Sequence, residues 1–198
     1  MSNQYFENNT ELTSNIQTIK YYFQKNTLYF DTDNGVFSKG GIDFGSNVLL
    51  QNIVSLNNKK TLLDVGCGYG TIGITLAKKY SNLEVEMVDV NLRALHLTER
   101  NAKENGVDNI NVFESNTYQN ISSKYSSIVT NPPIRAGKKV VYDIVMNAKD
   151  YLEENGKLFL VIRKEQGAKS LIVDLETVYT VKVLEKKKGF FILECSVK

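Results

Sequence analysis

Two periods of apolar residues alternate along this chain. Short apolar runs recur, and most are followed by a stretch in which apolar residues return every third or fourth position. Leu62-Leu63-Asp64-Val65 is the first clear run, and Ile72, Leu76 and Tyr80 mark the apolar side of the helix predicted after it. Leu83–Val90 reads as a second strand. Asn91 then caps a helix that carries Leu92, Leu95 and Ala102 and stops at Gly106. Ile110–Phe113 and Tyr125–Thr130 read as the third and fourth strands. Val141, Ile144, Val145, Ala148 and Leu152 predict a helix ended by Gly156, followed by a strand over Leu158–Ile162 and a modest helix over Gly167–Glu176. Val178–Leu184 and Phe190–Val197 close the chain as an antiparallel pair around Lys186-Lys187-Lys188-Gly189. Strands alternating with helices imply βαβ units and a mainly parallel, doubly wound α/β sheet, to which the terminal hairpin adds one antiparallel strand.

Upstream of this alternation the pattern differs. Residues 1–19 are polar and Asn-rich and are expected to be a loosely ordered lead-in, with residues 20–45 a strand and loop extension. In that extension Tyr21-Tyr22-Phe23 and Leu28-Tyr29-Phe30 predict a hairpin around Gln24-Lys25-Asn26. Asp31–Gly35 and Lys39-Gly40-Gly41 are rich in turn formers, and Ser46 is expected to cap a helix with Leu49, Ile53 and Leu56 on one face. No repeat, linker or low-complexity tract interrupts the 198 residues, which are expected to form one domain.

Composition narrows the function classes. With 42% apolar and 23% charged residues the chain falls among ordinary globular domains, and a net charge of +2 does not by itself indicate a nucleic-acid partner. Cys67 and Cys195 are too few for a disulfide framework and fit a reducing, cytoplasmic setting. No run is long enough to span a membrane, so no membrane partner is expected. A single histidine, His96, rules out a histidine-rich metal site, and no metal is expected.

The candidate chemistry starts at Thr61–Gly73, TLLDVGCGYGTIG, an apolar run meeting closely spaced glycines before a helix. Such a turn lets a ligand approach the backbone where a Cβ would clash, and it is where nucleotide-like ligands dock in open α/β sheets. Gly68, Gly70 and Gly73 also satisfy the G-x-G-x-x-G pattern of dinucleotide sites, and Asp89 suits ribose hydroxyls in either an NAD or an S-adenosylmethionine site. Asp64 tips the balance, because a carboxylate before the glycines suits a cationic sulfonium ligand and repels a pyrophosphate. The second signal is Asn131-Pro132-Pro133-Ile134 after the fourth strand, at the same carboxyl edge. An asparagine carbonyl and the following backbone carbonyl can both accept from one planar NH₂ group, and proline holds them rigidly. Two acceptors out of plane favour a pyramidal nitrogen whose lone pair can attack a methyl group, which is catalysis by orientation and electrostatics.

On GVFSKGGIDFGSNVLL (35–50), DVGCGYG (64–70), VDVN (88–91), ESNTYQN (114–120) and NPPIRAGK (131–138), the chain resembles a class I S-adenosylmethionine-dependent methyltransferase. More narrowly, over roughly residues 20–198, it resembles the small-domain family that contains the small-subunit ribosomal RNA guanine-N2 methyltransferases. The resemblance implies a Rossmann-like methyltransferase fold of seven strands with the last antiparallel, and methyl transfer to an exocyclic amine. Asp64, Gly66, Gly68 and Asp89 match the cofactor-binding positions, with Asn116 in the adenine-side loop, and Asn131, Pro132 and Pro133 match the catalytic loop. Asn131 is thereby placed against both cofactor and substrate. Ile134 stands where many amino-methyltransferases carry an aromatic residue, so it is expected to pack on the target base.

Weaker signals keep two readings each. Arg135, Lys138 and Lys139 suit RNA phosphates or a solvated loop, and Lys186–Lys188 reads as a charged hairpin tip protecting an edge. Tyr21, Tyr22 and Phe23 suit base stacking, but buried sheet aromatics are favoured; Cys67 reads as a packing residue and His96 as a surface one. The expected activity is methylation of guanine N2 in small-subunit ribosomal RNA, with RNA or a ribosomal subunit as partner. Its rivals are a protein glutamine methyltransferase, a non-catalytic RNA-binding assembly factor and a dinucleotide-dependent oxidoreductase.

Overall fold

The computed structural model describes residues 12–53, 56 and 60–198. Two strands come first, β1 (Gln17–Phe23) and β2 (Asn26–Thr32), paired antiparallel in a small sheet of their own. β1 thus begins inside the stretch expected as a loose lead-in, while residues 1–11 of that stretch lie outside the described residues. After them come α1 (Phe44–Asn52), β3 (Thr61–Val65), α2 (Thr71–Lys79), β4 (Glu84–Asp89), α3 (Leu92–Glu104), β5 (Ile110–Glu114) and β6 (Tyr125–Thr130). α4 (Lys138–Asn147), β7 (Leu152–Arg163), α5 (Ala168–Leu175), β8 (Tyr179–Lys187) and β9 (Phe190–Val197) complete the chain.

Strands β3 to β9 form a seven-stranded sheet in the order β5-β4-β3-β6-β7-β9-β8, with only β9 antiparallel to its neighbours. Alternation along each strand sorts apolar side chains to two cores. Leu62, Phe159 and Val161 join the core under α1, α2 and the small sheet; Leu63, Leu158 and Leu160 join the one under α4 and α5. Both faces being covered explains why all six residues of β6 are buried. Each fully buried aliphatic side chain contributes roughly 1.5–3 kcal/mol relative to exposure.

The small sheet docks on α3 through two asparagines one helical turn apart. The Asn101 side chain accepts from the Asp31 N–H at 2.7 Å and donates to the Asp31 carbonyl at 3.0 Å. The Asn105 side chain does the same with Tyr29, at 2.9 and 2.7 Å. A spacing of four on the helix matches a spacing of two on the strand, so two amides stand in for a pairing strand along β2.

Several boundaries differ from expectation. Asp43, not Ser46, caps α1: its backbone is extended and its carboxylate accepts from the Ser46 N–H at 3.0 Å, leaving Ser46 inside the first turn. Leu56 is buried but lies beyond the helix, which ends at Asn52. α4 stops at Asn147, a short 3-10 turn covers Ala148–Tyr151, and Leu152 already belongs to β7. Gly156 therefore does not end a helix. It sits in a bulge of β7 where a Cβ would come within 3.0 Å of the Tyr125 carbonyl and 2.9 Å of the Glu153 carbonyl. Leu92, expected on the buried stripe of α3, is 42% exposed, and Ala94, Leu95, Leu97 and Thr98 form the buried face instead. The final hairpin turns on Lys188-Gly189 alone, both at positive φ, as a two-residue turn requires.

Candidate active site

β3, β4 and β6 all end at one edge of the sheet, and a cavity of about 1100 Å³ opens there. Gly66, Gly68, Asp89, Asn116 and the Asn131–Arg135 loop line it, together with residues 35–39 and the start of α1. Gly66 and Gly68 sit at φ 73° and 58°, which only glycine adopts without strain, so the chain turns sharply out of β3. α3 braces this turn: the Thr98 hydroxyl donates to the Gly68 carbonyl at 2.8 Å, and the Asn101 amide donates to the Tyr69 carbonyl at 2.8 Å.

The donors of the turn decide which ligand it suits. The Gly66 and Cys67 N–H groups both donate to the Val88 carbonyl, Gly70 N–H donates to the Cys67 carbonyl, and Gly68 N–H donates to the Asp89 carboxylate at 2.9 Å. Gly73 N–H donates to the Asp64 carboxylate at 2.8 Å. These N–H groups are taken, two of them by carboxylates, so they are not open to a pyrophosphate. Burial drives the Asp64 carboxyl up to about 7, with the Asp89 charge adding to the rise, and burial raises Asp89 as well. One oxygen of Asp64 has no hydrogen-bond partner. A cationic ligand relieves two crowded carboxylates where a phosphate would aggravate them. The residues fit S-adenosylmethionine.

Asp64 does not line the cavity itself. It is fully enclosed beneath the turn, so its influence on a ligand there is electrostatic, whereas Asp89 reaches the cavity wall. Asn116 lines the cavity from the loop after β5, and its carbonyl accepts from the Gln119 N–H at 3.1 Å.

At the end of β6 the Thr130 hydroxyl donates to the Val65 carbonyl at 2.8 Å, which ties the Asn-Pro-Pro loop to the mouth of the glycine turn. The Asn131 amide NH₂ donates to Asp43 at 3.2 Å and to the Ser46 hydroxyl at 3.0 Å. A carboxylate only accepts, so Asp43 fixes which end of the amide is which. The side-chain carbonyl is the end left for the cavity that Asn131 lines. Pro132 is buried, Pro133 lies against Gly66, and Ile134 opens a short 3-10 turn on the cavity wall. Arg135 also lines the cavity, while the exposed Lys138 and Lys139 begin α4 outside it.

Sequence reasoning missed Asp43, Ser46, Phe44, Arg163 and Phe190 as site residues, although all line the cavity. The segment 35–50 carried the resemblance without assigning a role to its acid. Arg163 and Phe190 had a topological signal, since an antiparallel β9 must begin where β7 ends. Cys67 is buried with its thiol pushed up by burial, and His96 is exposed. Of the aromatic trio, Tyr21 and Phe23 are buried and Tyr22 is 66% exposed. Among the described residues no cluster of histidine, cysteine or acid could hold a metal, and no helix is long and apolar enough to cross a membrane.

Residues 27–194 match the family described as the methyltransferase small domain. The chain belongs to that family. Its methyl donor is S-adenosylmethionine, in agreement with the donor pattern of the glycine turn. The methyltransferase is 41% identical over 197 residues to the uncharacterized YbxB of Bacillus subtilis, each covering 98% of the other. It is 39% identical over 142 residues to ribosomal RNA small subunit methyltransferase C of Hahella chejuensis, a match covering 70% of this chain and 41% of that protein. The chain therefore spans less than half of the Hahella relative. In structure it resembles the Thermus thermophilus 16S rRNA N2 G1207 methyltransferase (RsmC) solved with AdoMet and guanosine, with a TM-score of 0.82 and 22% identity over 94% of this chain and 52% of the other. That likeness establishes the Rossmann-like methyltransferase fold, with its seven strands and antiparallel last strand.

Proposed function

We propose that this methyltransferase acts in the cytoplasm on the exocyclic N2 of guanine in small-subunit ribosomal RNA. The observation that carries the reading is the Asn131 amide, anchored by Asp43 and Ser46 so that its carbonyl is left for the cavity. S-adenosylmethionine supplies a methyl group on a positively charged sulfur. Gly66, Gly68, Asp89 and Asn116 hold that donor, and Asp64 contributes negative potential from beneath. The Asn131 and Pro132 carbonyls each accept a hydrogen bond from the target amine, which leaves the nitrogen lone pair facing the methyl group. Pro133 keeps the loop rigid, and Ile134 packs on the base. Arg135, Lys138 and Lys139 steady the RNA backbone beside the loop. Support for guanine and for ribosomal RNA comes from the methyltransferase C relatives and from the Thermus thermophilus 16S rRNA N2 G1207 methyltransferase, both more distant than YbxB.

The test is nucleoside mass spectrometry of small-subunit ribosomal RNA from cells with and without the gene. N2-methylguanosine should fall by one site and return when purified protein and S-adenosylmethionine are added. Methyl transfer into the protein fraction with none into RNA overturns the RNA reading and favours a glutamine amide, which presents the same planar NH₂.

A further inference from the structure

Because β9 runs against the rest of the sheet, its first residue and the turn before it lie at the carboxyl edge, beside the cavity. The Lys186–Lys188 tip is thus not remote from the site. Phe190 lines the cavity opposite the end of β7, where Arg163 and Gln166 also line it. The Lys164 N–H donates to the Gly189 carbonyl at 2.7 Å, which fixes the tip to the end of β7.

The cations here are arranged in an unusual way. The Arg163 guanidinium lies over the Phe190 ring at 5.0 Å, Lys186 over Phe191 at 5.0 Å, and Lys188 over Phe44 at 5.2 Å. Phe44 and Phe190 pack together with ring centroids 5.4 Å apart. Gly45 makes room for this, since a Cβ there would come 2.9 Å from the Phe190 ring. Arg163 also pairs with Glu165 at 3.2 Å and Lys187 with Glu185 at 3.6 Å, but Lys164, Lys186 and Lys188 make no ion pair among the described residues. Aromatic faces hold long basic side chains in place without neutralising them. Lys188, seated on the cavity-lining Phe44, therefore loses little freedom when it meets an anion.

We propose that the β8–β9 tip is a phosphate-binding ridge, with Lys164, Lys186 and Lys188 gripping the RNA backbone next to the nucleotide that enters the cavity. The inference rests on the RNA reading above and specifies which face the strand crosses. A base must leave its stack to reach the methyl donor, and a grip on flanking phosphates holds the strand while it does. The sheet-edge role expected for Lys186–Lys188 requires only that they repel other strands, which needs no seat for Lys188 on a phenylalanine that lines the cavity.

The experiment uses the full chain with Lys164, Lys186 and Lys188 changed together to Gln, and titrates 16S ribosomal RNA across a range of salt. Each lost phosphate contact removes roughly 0.7–0.9 from the slope of log affinity against log salt. The triple variant should flatten that slope by about two units and bind RNA at least tenfold more weakly at low salt. Its S-adenosylmethionine affinity and melting temperature should match wild type, which excludes misfolding as the cause. Lys188→Arg should retain the slope. A triple variant with the wild-type slope, in a protein that does methylate RNA, overturns the ridge and leaves the RNA reading standing, with the tip serving the sheet edge. A wild type that neither binds nor methylates RNA overturns both.

Discussion

At the scale of single residues, the site turns on one amide whose direction is set by a carboxylate. Asn131 can present its carbonyl to the cavity because Asp43 and Ser46 occupy its NH₂ end. In the proposed reaction that carbonyl contacts the amine more strongly as the attacked nitrogen gains positive charge, so it would favour the transition state over the bound substrate. Asn131→Ala should slow single-turnover methyl transfer by about two to three orders of magnitude, as loss of a preorganised partner does elsewhere. Donor affinity in the same variant should stay near wild type, because the glycine turn and Asp89 are untouched; transfer at a normal rate would make the loop structural only. Asp43→Ala tests the positioning separately. It should lower the transfer rate about tenfold with KM nearly constant, because the amide can then rotate. Asp89→Ala should weaken S-adenosylmethionine binding by about one to two orders of magnitude in calorimetric titration, and undiminished binding would remove Asp89 from the site. Asp64 and the Asn-Pro-Pro loop were legible in the sequence because glycines or prolines beside them mark a strand end, and Asp89 because it closes an apolar run just before the helix-capping Asn91. Asp43 was not, since its task depends on a loop 88 residues away.

At the scale of elements, what was legible was periodicity, and what was not was anything that a local pattern leaves undetermined. β6 and the core of α3 follow directly from apolar spacing. The strand after α4 was misjudged because Ala148 and Leu152 continue the helical stripe by chance. In the fold both are buried on the same side, one in a 3-10 turn and one in β7. The docking of β1 and β2 on α3 could not be seen either, because asparagine at helical spacing carries no apolar signal. That clasp is open to test. Asn101 is 1% exposed, and its amide serves the Asp31 backbone and the Tyr69 carbonyl of the glycine turn. Asn101→Ala leaves three buried backbone groups without partners, so it should destabilise the fold by roughly 2–4 kcal/mol in urea denaturation. S-adenosylmethionine affinity should fall as well, since the turn loses a brace. A change below about 0.5 kcal/mol would mean that packing alone holds the small sheet.

At the scale of the whole molecule, the sheet brings everything chemical to one edge and leaves a buried carboxylate, Asp64, beside the half-buried Asp89 there in the free protein. This has a consequence for stability as a function of pH. The Asp64 carboxyl stands near 3.8 in an unfolded chain and at about 7 in the fold, where burial opposes its charge. The folded state therefore holds an extra proton between those values. Its stabilisation is complete below about pH 4 and is lost as pH rises through about 7. Each pKa unit is about 1.4 kcal/mol, so the loss amounts to a few kcal/mol before levelling off. Asp64→Asn keeps the shape and removes the titration. Its stability relative to wild type should thus be lower or equal at pH 5 and higher at pH 8. The cationic donor reverses the preference, since it interacts best with ionised carboxylates. The rise in melting temperature that saturating S-adenosylmethionine produces should be larger at pH 8 than at pH 5 in wild type, and less dependent on pH in Asp64→Asn. Thermal denaturation of both proteins, with and without the donor, across that range is the measurement. Parallel curves for the two proteins would show that Asp64 is ionised throughout and takes up no proton on folding.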